Sequence, residues 1–171
     1  VVITGAARGL GRGFAEAALD AGARVVIADI LDDRGRQTAE ELSATGEVTF
    51  QFVDLAAPAS IEALAAAAES SLGGIDGLVN CAAIATGIGG KTADEIDIET
   101  WDRVMNVNVR GTWLAVKAFS PALRKAGNGK IVNVASDTAM WGAPRLLHYV
   151  ASKGAVISMT RSLARELGND G

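Results

Sequence analysis

The stretch Val1-Val2-Ile3-Thr4-Gly5-Ala6-Ala7-Arg8-Gly9-Leu10-Gly11 decides how this chain folds. A short β-branched run ends in a glycine turn, and the turn opens into an amphipathic helical pattern over residues 9–21. Glycines at 5, 9 and 11 let the backbone turn sharply and come close to a pyrophosphate. The N–H groups at the helix start then aim at phosphate oxygens. The spacing is G-x3-G-x-G rather than the G-x-G-x-x-G of the common dinucleotide fingerprint. What turns the cluster toward phosphate is its place between a strand and a helix.

Outward from this stretch the same alternation repeats. Apolar runs of strand length are expected as strands at 1–3, 24–28, 48–53, 77–80 and 130–134, and helical patterns fall at 9–21, 32–44, 58–71, 99–126 and 149–167. Continuous β-branched runs suit strands covered by helices on both faces. Repeated β–α units imply an α/β fold, a doubly wound parallel sheet in three αβα layers with right-handed crossovers, that is, a Rossmann-type domain. Residues 85–97, with Gly87, Gly89 and Gly90, read as a surface loop.

A length of 171 residues suits one domain over 1–171. Val1-Val2-Ile3 reads as a strand already under way, and Gly168-Asn169-Asp170-Gly171 as a helix exit with nothing after it. The sequence is therefore expected to be a piece of a longer chain, truncated at both ends. In such a piece the edge of strand 130–134 and one apolar face of helix 149–167 would lie uncovered. That predicts poor solubility and no activity for the piece alone.

Nearly half of the residues are apolar, 21% are charged, and the net charge is −4 with both signs interspersed. There is no basic footprint for nucleic acid and no polybasic run for a membrane surface. Apolar stretches are broken by charges before bilayer length. The single cysteine, Cys81, makes no internal disulfide and fits a reducing compartment, so the cytoplasm is expected. The single histidine, His148, has no second His or Cys at ligand spacing, which argues against a metal site and leaves it as a rim residue.

The candidate cofactor residues lie at strand ends. Asp29-Ile30 closes the second strand about 20 positions beyond the glycines. An acid there can accept hydrogen bonds from the adenosine ribose hydroxyls and would repel a 2′-phosphate. Arg8 pulls the other way, because a guanidinium near the ribose pairs with a 2′-phosphate. NAD is favoured by this reading and NADP stays open. Asp54-Leu55 follows the third strand and Asn80-Cys81-Ala82-Ala83 the fourth, on the edge where open α/β sheets bind ligands. Asp54 can accept from an adenine amino group, while Ala82 and Ala83 leave room for ring and ribose.

Tyr149, the one tyrosine of the chain, precedes Lys153 by four residues. On a helix these positions share a face. An ammonium so placed favours the phenolate, and a phenol so tuned can give or take a proton near neutral pH. Ser136 closes the fifth strand, where its hydroxyl can hold a substrate oxygen. Asn108 falls inside the long helical pattern, where its amide could bind a water linking Lys153 to solvent.

The ordered set Thr4-Gly5-x3-Gly9-x-Gly11, Asp29, Asp54, Asn80-x-Ala82, Asn108-x-x-Gly111, Ser136 and Tyr149-x3-Lys153 resembles the short-chain dehydrogenase/reductase family along the whole chain. That resemblance implies a catalytic tetrad of Asn108, Ser136, Tyr149 and Lys153. Tyr149 would be the general acid/base, Ser136 would orient the carbonyl, Lys153 would also bind the nicotinamide ribose, and Asn108 would hold a relay water. Together with Gly5, Arg8, Gly9, Leu10, Gly11, Asp29, Ile30, Asp54, Leu55, Asn80 and Ala82, Tyr149 and Lys153 would contact the dinucleotide. The resemblance also implies a homotetramer built on helices 99–126 and 149–167. Two departures stand out. Asn80-Cys81-Ala82-Ala83 replaces the family's usual Asn-Asn-Ala-Gly, and the family's later strands and substrate-covering segment are absent.

Met140, Trp141, Leu146 and Leu147, between Ser136 and Tyr149, tilt the expected substrate toward a hydrophobic ketone or secondary alcohol. An NADPH-dependent 3-oxoacyl reductase resembles the motif set as well. A non-catalytic nucleotide-binding regulator could share the fold, since fold does not fix function.

Overall fold

In the computed structural model, which describes residues 1–170, strand β1 (Val2–Thr4) lies in the middle of a five-stranded sheet. It pairs in parallel with β2 (Val25–Asp29) on one side and β4 (Gly77–Asn80) on the other. Strands β3 (Val48–Phe52) and β5 (Lys130–Asn133) extend the sheet, also in parallel, to give the order β3-β2-β1-β4-β5. The chain winds outward from β1 to β3, then crosses back to β4. Strand order therefore reverses between β1 and β4, and the crevice at their C-terminal ends is where such sheets take ligands.

Side chains alternate across the sheet, and both faces are buried. Ile3, Val25 and Ile27 pack with Ala15 and Leu19 of α1 (Gly9–Asp20) and Leu42 of α2 (Asp32–Leu42). Val2, Val26 and Leu78 pack on the opposite face with Ile61 and Leu64 of α3 (Pro58–Leu72) and Phe119 of α5 (Thr112–Ala126). This two-sided burial is why the strands read as continuous apolar runs.

The expected long helix over 99–126 is three elements. Helix α4 (Ile98–Met105) passes through a π-helical turn, Asn106–Gly111, before α5 begins. Two contacts set the wide turn. Gly111 lies so close to Leu55 that a Cβ would stand 2.8 Å from both its Cβ and its carbonyl oxygen. Asn108 is pinned from two other segments, by Ile84 and by Ser152. An apolar period of 3.6 tolerates the extra residue of a π turn, so the sequence pattern ran through it. A short helix, α6 (Thr138–Trp141), was not expected, and α7 (Leu147–Leu167) starts two residues early.

The stretch at 85–97 carries no helix or strand. β5 forms one edge of the sheet, with Val132 half exposed. Among the described residues, no helix is long and apolar enough to cross a membrane.

Candidate active site

The glycine turn is held from both sides. Gly5 N donates to the Ala28 carbonyl at 2.7 Å, with φ at +69°. A Cβ at Gly5 would stand 2.5 Å from Ala82 Cα, so the turn rests directly on the exit of β4. The Thr4 hydroxyl braces that exit by accepting from Cys81 N at 3.2 Å and Ala82 N at 3.3 Å. Gly9 also has positive φ (+59°), but nothing lies within 4 Å of where its Cβ would be.

Helix α1 starts at Gly9, and Arg8 before it provides no side-chain cap. The first main-chain donor satisfied at this end is Arg12 N, which reaches Arg8 O at 3.4 Å. The N–H groups of Gly9, Leu10 and Gly11 have no partner among the described residues. Three open donors at the positive end of the helix could cradle an anion. Leu10, 68% exposed, flanks it, as does the exposed Arg8.

Asp29 is buried beside the cradle. Its Oδ2 accepts from Ala7 N at 3.0 Å and its Oδ1 from Leu31 N at 3.1 Å, which ties the glycine turn to the exit of β2. Each oxygen keeps a lone pair for a further donor. Ile30, next to it, is exposed. Asp54 closes a turn by accepting from Ala56 N at 2.8 Å. Leu55 has its side chain buried in the core against Gly111, which leaves only its main chain to meet a dinucleotide.

At the exit of β4, Asn80 donates from Nδ2 to Asn133 Oδ1 at 2.9 Å, while its own Oδ1 is buried without a partner. Cys81 follows, half buried, and burial pushes its thiol pKa up while nearby Lys153 pulls the other way.

Helix α7 brings Tyr149 and Lys153 together. The Lys153 ammonium lies 5.8 Å from the Tyr149 ring centroid and donates to Val134 O at 2.6 Å. Burial lowers the Lys153 pKa, with Cys81 opposing. The phenol itself makes no hydrogen bond among the described residues. Ser136 lies just past β5, where its hydroxyl accepts from Thr138 Oγ1 at 2.8 Å and Thr138 N at 3.3 Å.

Asn108 departs from the expected role. Its Oδ1 accepts from Ile84 N at 2.8 Å, and Nδ2 donates to Ile84 O and to Ser152 Oγ, both at 3.1 Å. Both amide hydrogens are thus taken by protein, in a residue only 1% exposed. The amide staples the loop after β4 to α7 and does not hold a water with its donors. His148 is a second correction. It is 0% exposed, with neither ring nitrogen partnered, and so is no rim residue. One step along a helix turns a side chain by about 100°, and from Tyr149 that step leads into the interior.

Between Ser136 and Tyr149 the chain exposes apolar surface, with Met140 74% and Trp141 61% accessible, and Leu147 also exposed. Arg145 stands in the left-handed region with φ at +57°, and its carbonyl accepts from Gly90 N at 3.0 Å. Sequence reading missed the bracing roles of Thr4, Ser152, Asn133 and Thr160. A hydroxyl or amide that serves another element has no local signature. Among the described residues, no group of His, Cys, Asp or Glu side chains could hold a metal ion.

Comparison with known proteins gives the family of the chain. A family model described as short chain dehydrogenase matches residues 1–171. The chain is 38% identical over 172 residues to 2-(S)-hydroxypropyl-CoM dehydrogenase 3 of Xanthobacter autotrophicus, covering 100% of this chain and 66% of that protein. It is 40% identical over 172 residues to galactitol 2-dehydrogenase of Agrobacterium fabrum, covering 99% and 65%. A crystal structure of a short chain dehydrogenase/reductase from Burkholderia phymatum in complex with NAD matches with a TM-score of 0.93 at 35% identity, over 99% of this chain and 60% of that one. The chain thus spans just under two thirds of the length of these curated relatives.

Proposed function

The chain belongs to the short chain dehydrogenase family, and from that premise we propose an NAD-dependent oxidoreductase that interconverts a secondary alcohol and a ketone. The observation that carries the reading is the Tyr149–Lys153 pair, with Lys153 fixed on Val134 O at the same sheet edge as the open start of α1.

The residues present fit a nicotinamide dinucleotide. The N–H groups of Gly9, Leu10 and Gly11 would hold its pyrophosphate, and Gly9 leaves open space beside them. Asp29 would accept from the adenosine ribose hydroxyls through its free lone pairs, with Ile30 and Asp54 flanking the adenine. Ala82 and Asn80 would line the inner half, and Lys153 would reach the nicotinamide ribose. When bound, the dinucleotide supplies or accepts the hydride at the substrate carbon.

The chain's own groups handle the oxygen. Tyr149 gives a proton to the substrate oxygen in reduction and takes one in oxidation, through a phenol hydroxyl that makes no hydrogen bond among the described residues. Ser136, polarised by the two Thr138 donors, would turn its own proton from Asp137 Oδ1, 3.5 Å away, to that oxygen and orient the carbonyl. Lys153 keeps positive charge beside the phenol, and Asn108 holds α7 in place through Ser152.

A buried carboxylate at the ribose disfavours a 2′-phosphate, which supports NAD. Arg8, exposed and without an ion-pair partner among the described residues, favours the second reading, an NADPH-dependent 3-oxoacyl reductase. The exposed Met140, Trp141 and Leu147 support a hydrophobic substrate. A homo-oligomer, tetrameric by family resemblance, is supported by exposed Ile98 on α4 and Trp113 on α5. The free Cys81 thiol supports a cytoplasmic location.

Initial rates of the full-length protein with NADH and with NADPH, over a panel of apolar ketones and one polyol-derived ketose, test all of this. NADH should be preferred by at least about tenfold, and Tyr149→Phe should lower kcat by about 10²- to 10⁴-fold. Clear NADPH preference would move the assignment to the second reading. A Tyr149→Phe enzyme as active as wild type would end the mechanism.

A further inference from the structure

Thr160 and Asn133 have no part in the proposed chemistry, yet they join the catalytic helix to the sheet. We infer that they are positioning residues, which fix the axial register of α7 against β5 and so set where Tyr149 and Lys153 stand. The inference rests on the dehydrogenase reading for its kinetic test, though not for its geometry.

Tyr149, Lys153, Val156 and Thr160 are spaced i, i+4, i+7 and i+11 along α7, which places them within about 60° of arc on one stripe. The stripe is fastened to β5 and its exit at two points. At the upper one, Lys153 Nζ donates to Val134 O at 2.6 Å. At the lower one, Asn133 Nδ2 donates to Thr160 Oγ1 at 2.9 Å. Asn133 stands directly opposite Asn80 in the sheet register and accepts from its Nδ2 at 2.9 Å. A hydrogen-bonded line therefore runs from β4 through β5 to α7.

Its direction is fixed at each step. Thr160 spends its own proton on Val156 O at 2.7 Å, so its lone pairs are what the Asn133 amide meets. Asn133 then has its oxygen committed toward β4 and its nitrogen toward α7. Burial of Val156 holds the helix against the sheet but is non-directional, so it specifies axial register less sharply than a hydrogen bond does. A hydrogen bond weakens steeply with distance and angle. A slip of one residue moves the helix about 1.5 Å along its axis, enough to part Lys153 from Val134 and to carry the phenol away from its working place. The tether lies about 16 Å along the axis from Tyr149, so it acts through the helix and touches no reacting atom.

The test compares full-length wild type with Thr160→Val, which keeps the shape and loses the hydroxyl, and Thr160→Ser, which keeps the hydroxyl. Thr160→Ala removes the hydroxyl without setting a methyl against Asn133, and covers the case in which the valine variant does not fold. Misplacement of a reacting group by about 1 Å can cost about 100-fold, so a partial slip should lower kcat about tenfold in the Val and Ala variants, with KM for NADH within about twofold. Thr160→Ser should regain kcat to within about twofold. Amide exchange over residues 149–156 should speed up about tenfold in the Val and Ala variants and not in the Ser variant. Wild-type kcat and exchange in Thr160→Val, or a kcat loss that Thr160→Ser shares, would overturn the inference. If wild type reduces no ketone at all, the dehydrogenase reading fails, and exchange alone decides the tether: unchanged exchange in Thr160→Val overturns it, and loss restored by serine supports it.

Discussion

Alanine at Gly5 and alanine at Gly9 make the same chemical change in the same turn, yet the structure assigns them opposite consequences. Both glycines have left-handed φ, +69° and +59°. A side chain in that region costs about 1–2 kcal/mol. At Gly9 the stability cost ends there, because nothing lies within 4 Å of the new Cβ. At Gly5 the new Cβ would stand 2.5 Å from Ala82 Cα and 2.7 Å from Ala82 N, which are backbone atoms that do not rotate aside. Nor is the turn free to back away, since Gly5 N is bonded to Ala28 O at 2.7 Å and Thr4 holds Cys81 and Ala82 from below. Forced overpacking adds about 1–3 kcal/mol. Gly5→Ala should therefore lose about 2–5 kcal/mol against about 1–2 kcal/mol for Gly9→Ala. At roughly 2–4 °C per kcal/mol for a domain of this size, the melting temperature should drop on the order of 5–20 °C in the first and only a few degrees in the second.

Affinity should rank them the other way round. The Gly9 Cβ would project into the open space beside the unpartnered N–H groups, the site proposed for a pyrophosphate. NADH should bind Gly9→Ala at least tenfold more weakly, about 1.4 kcal/mol. The assays are thermal melting by circular dichroism and titration of NADH fluorescence on full-length protein. A Gly5→Ala protein that melts with wild type would refute the packing argument. A Gly9→Ala protein with wild-type NADH affinity would refute the cradle.

Three further outcomes follow from named contacts. Asp29→Ala strips the acceptor from Ala7 N and Leu31 N; it should cost about 2–4 kcal/mol in urea unfolding, and the NADH-to-NADPH rate ratio should fall at least about tenfold. Asn108→Ala leaves Ile84 and Ser152 without their partners in a buried site; a loss of about 2–4 kcal/mol is expected in the same assay. Burial lowers the Lys153 pKa, so between its folded value and the ordinary lysine value the unfolded chain binds the proton and the folded chain does not. Stability from this group must therefore rise with pH across that window, with its cost fully present below it. Lys153→Met should flatten the rise in unfolding midpoints measured over the alkaline range, and an unchanged slope would contradict the burial argument.

The strands, the parallel winding and the glycine turn were legible because each rests on local pattern. Val25-Val26-Ile27-Ala28 can be covered on two faces only in such a sheet, and Gly5 marks its turn by being glycine. The pairing of Tyr149 with Lys153 was legible for the same reason, since four residues on a helix are one turn. What escaped is what depends on a distant partner. The π turn at Asn106–Gly111 is set by Leu55 and by the Ile84–Ser152 staple, neither of them nearby in sequence. α6 is too short for any period to appear. The burial of His148 and the core position of Leu55 depend on which side of an element meets its neighbour, and a single residue does not state that. The Asn133–Thr160 bond joins positions separated by 27 residues and exists only once α7 docks on β5.

These two kinds of residue imply two kinds of loss. Asp29, Asn108 and Lys153 each engage the main chain of another element: Asp29 the glycine turn, Asn108 the loop after β4, Lys153 the exit of β5. Thr4 does the same for the exit of β4. Their working positions are thus set by the fold before any ligand arrives, which is how a site avoids ordering its groups at the moment of binding. It follows that such residues cannot be removed for function alone, and variants at Asp29 or Asn108 must lose stability along with activity. Tyr149 is built differently, since its hydroxyl engages no group among the described residues and only its ring stands beside Lys153. Tyr149→Phe should then melt within about 1 °C of wild type, because no internal hydrogen bond is given up. A large drop in its melting temperature would mean that the phenol braces the fold, and that the division between braced groups and the one left free for chemistry is wrong.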